Sequence, residues 1–272
     1  MVVKYSRKLE LSFRQLGDIP LISNSIERTK KSTFLVRVPS TKPEYKNFPS
    51  PNGTGFFISA DGYFLTASHV LKGVSSGDKL KLSQPELELI KGGTKDLEHI
   101  EILQIWPQFD IALLKVNLEK NINNPLLTNK TGFNYLDIDF EDCLDGTPVY
   151  SYGFPLPEVQ IKGNEQLLIG LEFLCPRVTS AIISSHYDAI GPIRSKALPK
   201  WYVIDKALNY GNSGGPIILT ETGKVIAVCA RFQPVSIRQA TNISVTVPSL
   251  YSIASSLTNM EGEIKTLIKA TT

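Results

Sequence analysis

The stretch GFFISADGYFLTAS (55–68) constrains the fold more than any other part of the chain. Two apolar runs flank Asp61-Gly62, and an Asp-Gly pair between such runs is the strongest short-range sign of a β-hairpin. The chain continues in the same manner. TFLVRV (33–38), LEHIEILQIW (97–106) and DIALLKV (110–116) read as strands, rich in β-branched and aromatic residues. A surface connection rich in Asn, Asp and Glu follows at 118–145, and then a second series: PVYSYGF (148–154), RVTSAIISS (177–185), KWYVID (200–205), GPIILT (215–220), KVIAVCARF (224–232) and ISVTV (243–247). Many short strands separated by turn residues argue for β-barrels or a sandwich and against βαβ units.

Helical patterning is confined to the ends. Ser23-Asn24-Ser25 offers a cap for IERTKKS. After Pro248, Ser249 is placed to cap a helix with Leu250, Ile253, Ala254 and Leu257 on one face, and Ile264, Leu267 and Ile268 form a similar stripe. A hydrophobic content of 42% provides ample core material, and a net charge of +3 gives no nucleic-acid signature. The basic residues near the start (Lys4, Arg7, Lys8, Arg14) read as a solvated face. The longest apolar stretch, 167–175, is interrupted by Glu172 and is too short to span a bilayer. The opening residues VVKYSRKLELSF lack the apolar centre of a secretory leader. Cys143, Cys175 and Cys229 are odd in number and have no metal-site spacing. These features lead to the expectation of a cytoplasmic protein without cofactor, metal, membrane or nucleic-acid partner.

The chemistry centres on YGNSGGPII (210–218). Gly211 to Gly215 satisfies G-x-S-x-G, the nucleophile elbow of α/β-hydrolases, and is also good turn chemistry. A serine hydroxyl needs a positioned base, usually His, and a carboxylate to orient that base. The three histidines, His69, His99 and His186, all precede Ser213, whereas the elbow requires its His after the serine. His99 reads as a solvent-facing strand residue. His186 reads as a turn residue, whose order before Ser213 would suit a subtilisin-like site if the strand pattern were α/β. His69, at the end of the hairpin arm in LTASHVL, precedes Asp110, which opens an apolar strand where a charge must be exposed or paired.

With these residues in place the chain resembles the trypsin-fold serine peptidases, and within them the HtrA/Deg-type protease domain. GTGFFISADGYFLTASHVL (53–71), FDIALLKV, VYSYGFP, VTSAIISS and IDKALNYGNSGGPII (204–218) are similar to that family's successive segments, in its order. The resemblance implies an all-β fold of two six-stranded antiparallel β-barrels with short terminal helices. An extension at 1–21 would precede a peptidase domain at 22–258, with the first barrel at about 30–118, the connection at 118–145, the second barrel at 146–248, and C-terminal helices at 249–272. It implies Ser213 as nucleophile, His69 as general base and then acid, and Asp110 as orienting carboxylate. The backbone N–H groups of Gly211 and Ser213 would form an oxyanion hole, with Asn212 between them contributing its amide or its loop geometry.

By position relative to Ser213, Ala207 is expected at the floor of the specificity pocket, and Cys229, Ala230, Arg231, Phe232, Val245 and Val247 in its walls. The implied substrate is a protein or peptide with a small or apolar residue before the scissile bond, and a regulatory protein partner is a further expectation. Departures from the pattern are the lack of room for a PDZ domain after 258, Tyr210 where the family often has Pro, and a longer segment between Phe154 and Pro176 that reads as an extra hairpin or lid.

Overall fold

The computed structural model describes residues 19–39, 50–75, 78–84, 96–127, 131–155, 158–164, 167–173, 176–188, 199–238 and 244–270. The first half forms an antiparallel sheet of β1 (Thr33–Val38), β2 (Ser50–Phe57), β3 (Tyr63–Thr66), β4 (Lys81–Ser83), β5 (Ile100–Trp106) and β6 (Ile111–Val116), in the order β4-β1-β2-β3-β6-β5. The Asp-Gly hairpin joins β2 to β3, with Gly62 at φ 104° as that turn requires. Among the described residues this sheet curls without closing, so the first of the two expected barrels is a half-barrel. Phe56 and Phe57 are adjacent, yet both are fully buried, because both faces of β2 are covered. Phe57 stacks on Phe133 at 4.2 Å and meets Phe34 edge-on at 5.2 Å, which brings the 118–145 connection into the first core.

The second half closes into a six-stranded barrel of β7 (Pro148–Gly153), β10 (Arg177–Asp188), β11 (Lys200–Ile204), β12 (Pro216–Leu219), β13 (Val225–Arg238) and β14 (Ser244–Ser256). Between β7 and β10, β8 (Glu158–Asn164) and β9 (Leu167–Phe173) pair as a separate two-stranded hairpin, which accounts for the added length there.

Four local expectations are corrected. Residues 249–256 are strand, not helix. Their apolar spacing is helical, but β14 is hydrogen-bonded on one side to β11 and on the other to β13, and Ser252, Ser255 and Ser256 are buried while Leu250 is 78% exposed. Tertiary pairing overrides the local period. The N-terminal helix α1 (Ile19–Ser32) begins before the serines expected to cap it. Ser25 and Thr29 instead bond the Tyr150 hydroxyl at 2.6 and 3.1 Å, fixing the helix to the second barrel. His186 lies on β10 rather than in a turn, and His99 precedes β5 at φ 57°, exposed but not within the strand.

The expected apolar stripe Ile264, Leu267 and Ile268 does belong to a helix, α2 (Glu261–Ala270). It crosses back to the first sheet, where Ile264 is buried and Ile268 O accepts the Tyr63 hydroxyl at 3.0 Å. Helices α1 and α2 thereby each tie one half to the other, and a groove lies between the halves.

Candidate active site

That groove is a cleft of about 790 Å³ lined from one side by His69, Asp110 and Gly53 and from the other by Leu208, Gly211, Ser213 and Phe232. Its size suits a ligand site, and such sites favour the junction of two folded halves.

His69 sits on a short 3-10 turn, Ser68–Leu71, immediately after β3. Asp110 occupies the β5–β6 corner, where Phe109 N–H bonds Trp106 O and Asp110 N–H bonds Pro107 O. Its φ of 51° is left-handed, a region that Asp tolerates better than most residues, and that backbone swings the carboxylate toward His69. Asp110 Oδ2 lies 2.7 Å from His69 Nδ1, while Oδ1 accepts the His69 backbone N–H at 3.0 Å and the Ser68 hydroxyl at 2.8 Å. Burial alone would raise the Asp110 carboxyl, but the hydrogen bonds and charge of His69, with the Ser68 bond, hold it below the ordinary carboxylate range. An ionised carboxylate only accepts, so the His69 proton is fixed on Nδ1 and Nε2 is left as the acceptor.

Ser213 stands in the loop between β11 and β12. Asn212 N–H bonds Asn209 O at 3.1 Å and Gly211 has φ 90°, the positive value that a type II turn needs at its third residue. Among the described residues, neither Gly211 N–H nor Ser213 N–H has a hydrogen-bond acceptor. The Ser213 hydroxyl donates to Ala230 O at 3.2 Å and not to His69. Gly214 leaves no room for a side chain: a Cβ there would lie 2.1 Å from Thr54 O and 2.3 Å from Thr66 Oγ1.

Asn212 is buried, with its Oδ1 2.5 Å from where a Cβ on Gly153 would lie, so its side chain packs on β7, in keeping with a part in the loop geometry. Two of the assignments for the specificity pocket need correction. Ala207 is exposed and outside the lining. Leu208 takes the inner position, held by its N–H on Ser252 Oγ at 2.6 Å. Cys229 is 1% exposed behind the serine, and burial, with Asp110 nearby, pushes its thiol up to about 12; it is core rather than wall. Ala230, Arg231 and Phe232 do line the cleft, and the side chains of Val245 and Val247 lie outside the described residues.

Sequence reasoning missed Ser68, Thr54 and Trp201. Ser68 is adjacent to His69 and carries a hydroxyl, the signal that could have found it. Trp201 lines the cleft with the Arg231 guanidinium 5.7 Å over its ring. Tyr210 meets Phe232 edge-on at 5.1 Å across the opening. A second His–carboxylate pair, His186 with Asp145 at 2.7 Å, lies outside this cleft. Among the described residues no group of three or more His, Cys, Asp or Glu side chains converges as metal ligands would.

A half-barrel facing a closed barrel, with His, Asp and Ser from both sides on one cleft, is the layout of trypsin-type peptidases, and residues 53–228 match the family model described as Trypsin-like peptidase domain. The chain belongs to that family. Within it, the chain is 31% identical over 188 residues to a probable periplasmic serine endoprotease DegP-like of Bartonella henselae, covering 68% of this chain and 29% of that protein. It is 26% identical over 212 residues to the mitochondrial serine protease HTRA2 of Bos taurus, covering 76% of this chain and 37% of the relative. The chain thus spans little more than a third of these relatives at most. The fold is similar to that of the HtrA-type protease AlgW solved with a decapeptide, at a TM-score of 0.57 and 16% identity over 91% of this chain and 67% of that one.

The cytoplasmic expectation is overturned by these relatives, because the DegP-like proteins are named as periplasmic. The cysteines were a poor guide. Cys143 and Cys229 are buried and behave as small apolar core residues, so their being unpaired does not report the compartment.

Proposed function

We propose that this chain is a serine endopeptidase that cleaves proteins or peptides through an acyl-enzyme on Ser213. The observation that carries the reading is the His69–Asp110 pair at 2.7 Å on the same cleft as Ser213 and two N–H groups without acceptors. His69 Nε2 takes the Ser213 proton as Oγ attacks the scissile carbonyl, then returns it to the leaving amine. Asp110 holds the imidazole in that tautomer and balances its transient charge. Gly211 N–H and Ser213 N–H receive the developing oxyanion. Beyond Cys229 the β13 segment Ala230–Phe232 borders the cleft, and an extended substrate laid along it would gain main-chain pairing. That AlgW was solved with a decapeptide is consistent with such a ligand.

Leu208, Phe232 and Tyr210 give the cleft apolar walls and no acid on the expected floor, which supports a small or apolar residue before the scissile bond. The peptidase unit is assigned to 22–258, and a regulatory protein partner is part of the same proposal. Incubation with a fluorophosphonate probe and peptide mapping by mass spectrometry tests the reading: a single adduct on Ser213 is expected. Peptide binding without an adduct would favour the second reading, a catalytically silent binding module, for which the parking of Ser213 on Ala230 O is the motivating observation.

The Ser68 bond adds a separate prediction. It is one of three donors to Asp110, so Ser68→Ala should weaken the orienter without removing it. The expected result is about a tenfold fall in kcat, equivalent to about 1.4 kcal/mol, with KM unchanged. Steady-state hydrolysis of a peptide ester checks this.

A further inference from the structure

We infer that Thr54, on β2 of the first half, is the positioning residue that sets the oxyanion loop of the second half. The inference rests on the peptidase reading above. Thr54 is fully buried and donates two bonds across the junction: its N–H to Ser213 O at 2.7 Å and its hydroxyl to Gly211 O at 2.6 Å. The direction of the hydroxyl proton is fixed. Phe154 N–H already donates to Thr54 Oγ1 at 3.1 Å, and a hydroxyl has one proton, which leaves Gly211 O as its acceptor. The side chain itself has little freedom, being β-branched, with its methyl group 3.3 Å from where a Cβ on Gly215 would lie. Thr54 O in turn accepts the Thr66 hydroxyl at 2.7 Å.

The consequence lies in the peptide planes of the loop. The Gly211–Asn212 peptide is held at both ends, its carbonyl by Thr54 Oγ1 and its N–H by Asn209 O. The carbonyls of Asn212 and Ser213 are engaged by Gly215 N–H and Thr54 N–H. With those carbonyls engaged, the two N–H groups of the loop left without a protein acceptor are those of Gly211 and Ser213, both residues of the cleft lining. Without the Thr54 hydroxyl, the Gly211–Asn212 peptide loses the anchor on its carbonyl, which loosens φ of Gly211, and with it the preceding Tyr210–Gly211 peptide can turn from the type II to the type I form, the two differing in the φ sign at the third residue. That flip turns the Gly211 N–H out of the hole. Because Thr54 belongs to the half that carries His69 and Asp110, its bonds also register the base against the nucleophile.

The test compares wild type, Thr54→Val and Thr54→Ser in the full chain, with active sites titrated by a fluorophosphonate and folding followed by thermal melting. Each is assayed for kcat, KM and inhibition by a peptide aldehyde, whose adduct places an oxyanion in the hole. Loss of one oxyanion donor costs about a hundredfold or more in kcat. Thr54→Val is expected to lose about that much with KM within twofold, and to weaken aldehyde binding in parallel. Thr54→Ser, which keeps the hydroxyl, should recover to within about threefold of wild type. If valine lowers the melting temperature, assays below the transition, normalised to titrated sites, still report the aldehyde-to-KM split. Equal kcat in Thr54→Val and wild type, or equal losses in valine and serine variants, would overturn the role of Thr54 alone. A wild type that neither cleaves nor labels would overturn the peptidase reading and this inference with it.

Discussion

Ser213→Ala is expected to lower kcat for peptide hydrolysis by about 10⁶-fold while leaving the folded structure intact, the scale seen when a serine nucleophile is removed from a triad that acts as a unit. The fold stays intact for a local reason. The Ser213 side chain makes one hydrogen bond, to Ala230 O, whereas the loop is held by backbone bonds from Thr54, Gly214 and Gly215 that alanine preserves. The melting temperature should therefore move by no more than a few degrees, since a typical hydrogen bond contributes about 1 kcal/mol net. KM should remain close to wild type, because the cleft walls at Leu208, Tyr210 and Phe232 are untouched. The measurement is single-turnover hydrolysis of a fluorogenic peptide, with fluorophosphonate labelling in parallel. Wild-type-like labelling of the alanine variant would place the nucleophile elsewhere and sink the assignment.

What depends on chain order was readable in the sequence: the pairing of His69 with Asp110 on the cleft that holds Ser213. No histidine follows Ser213, so a base for it would have to precede it, and only His69 lies beside a hairpin end with a carboxylate-bearing strand after it. The parts that depend on how the two halves meet were not readable. Thr54 looks like any small residue of an apolar strand, and its role comes from a carbonyl 157 residues away. Trp201 and Leu208 enter the cleft because of barrel closure, not because of local pattern. Ala207 is exposed and Leu208 lines the cleft in its place, with the bond from Leu208 N–H to Ser252 deciding which side chain turns inward. Ser252 itself was expected in a helix. Its burial on β14 is a property of the closed barrel, where both strand edges are occupied, and the spacing of Leu250, Ile253, Ala254 and Leu257 carries no sign of that.

Asp110→Asn is expected to lower kcat by about 10⁴-fold with little change in KM, through the tautomer of His69 rather than through its position. The geometry dictates how the amide would sit. Oδ1 accepts two donors, the His69 backbone N–H and the Ser68 hydroxyl, so the amide oxygen must take that place. The amide NH₂ then occupies the Oδ2 position, 2.7 Å from Nδ1, and as a donor it requires an unprotonated Nδ1. The neutral imidazole responds by carrying its proton on Nε2, the atom that must accept from Ser213. Backbone strain does not confuse the comparison, because Asn tolerates the left-handed conformation at this corner as Asp does. Nitrogen NMR of the imidazole should find the proton on Nδ1 in wild type and on Nε2 in the variant. The pH dependence of stability has a definite sign. The folded carboxyl is held below its unfolded value of about 3.9, so its contribution is fully present above that value and is lost only as pH falls through the lower, folded one. Wild type should therefore be more stable than Asp110→Asn at neutral pH, and the gap should close in strong acid. A gap that persists there, or an Nδ1 proton in the variant, would mean that Asp110 acts as packing rather than as the orienter of the base.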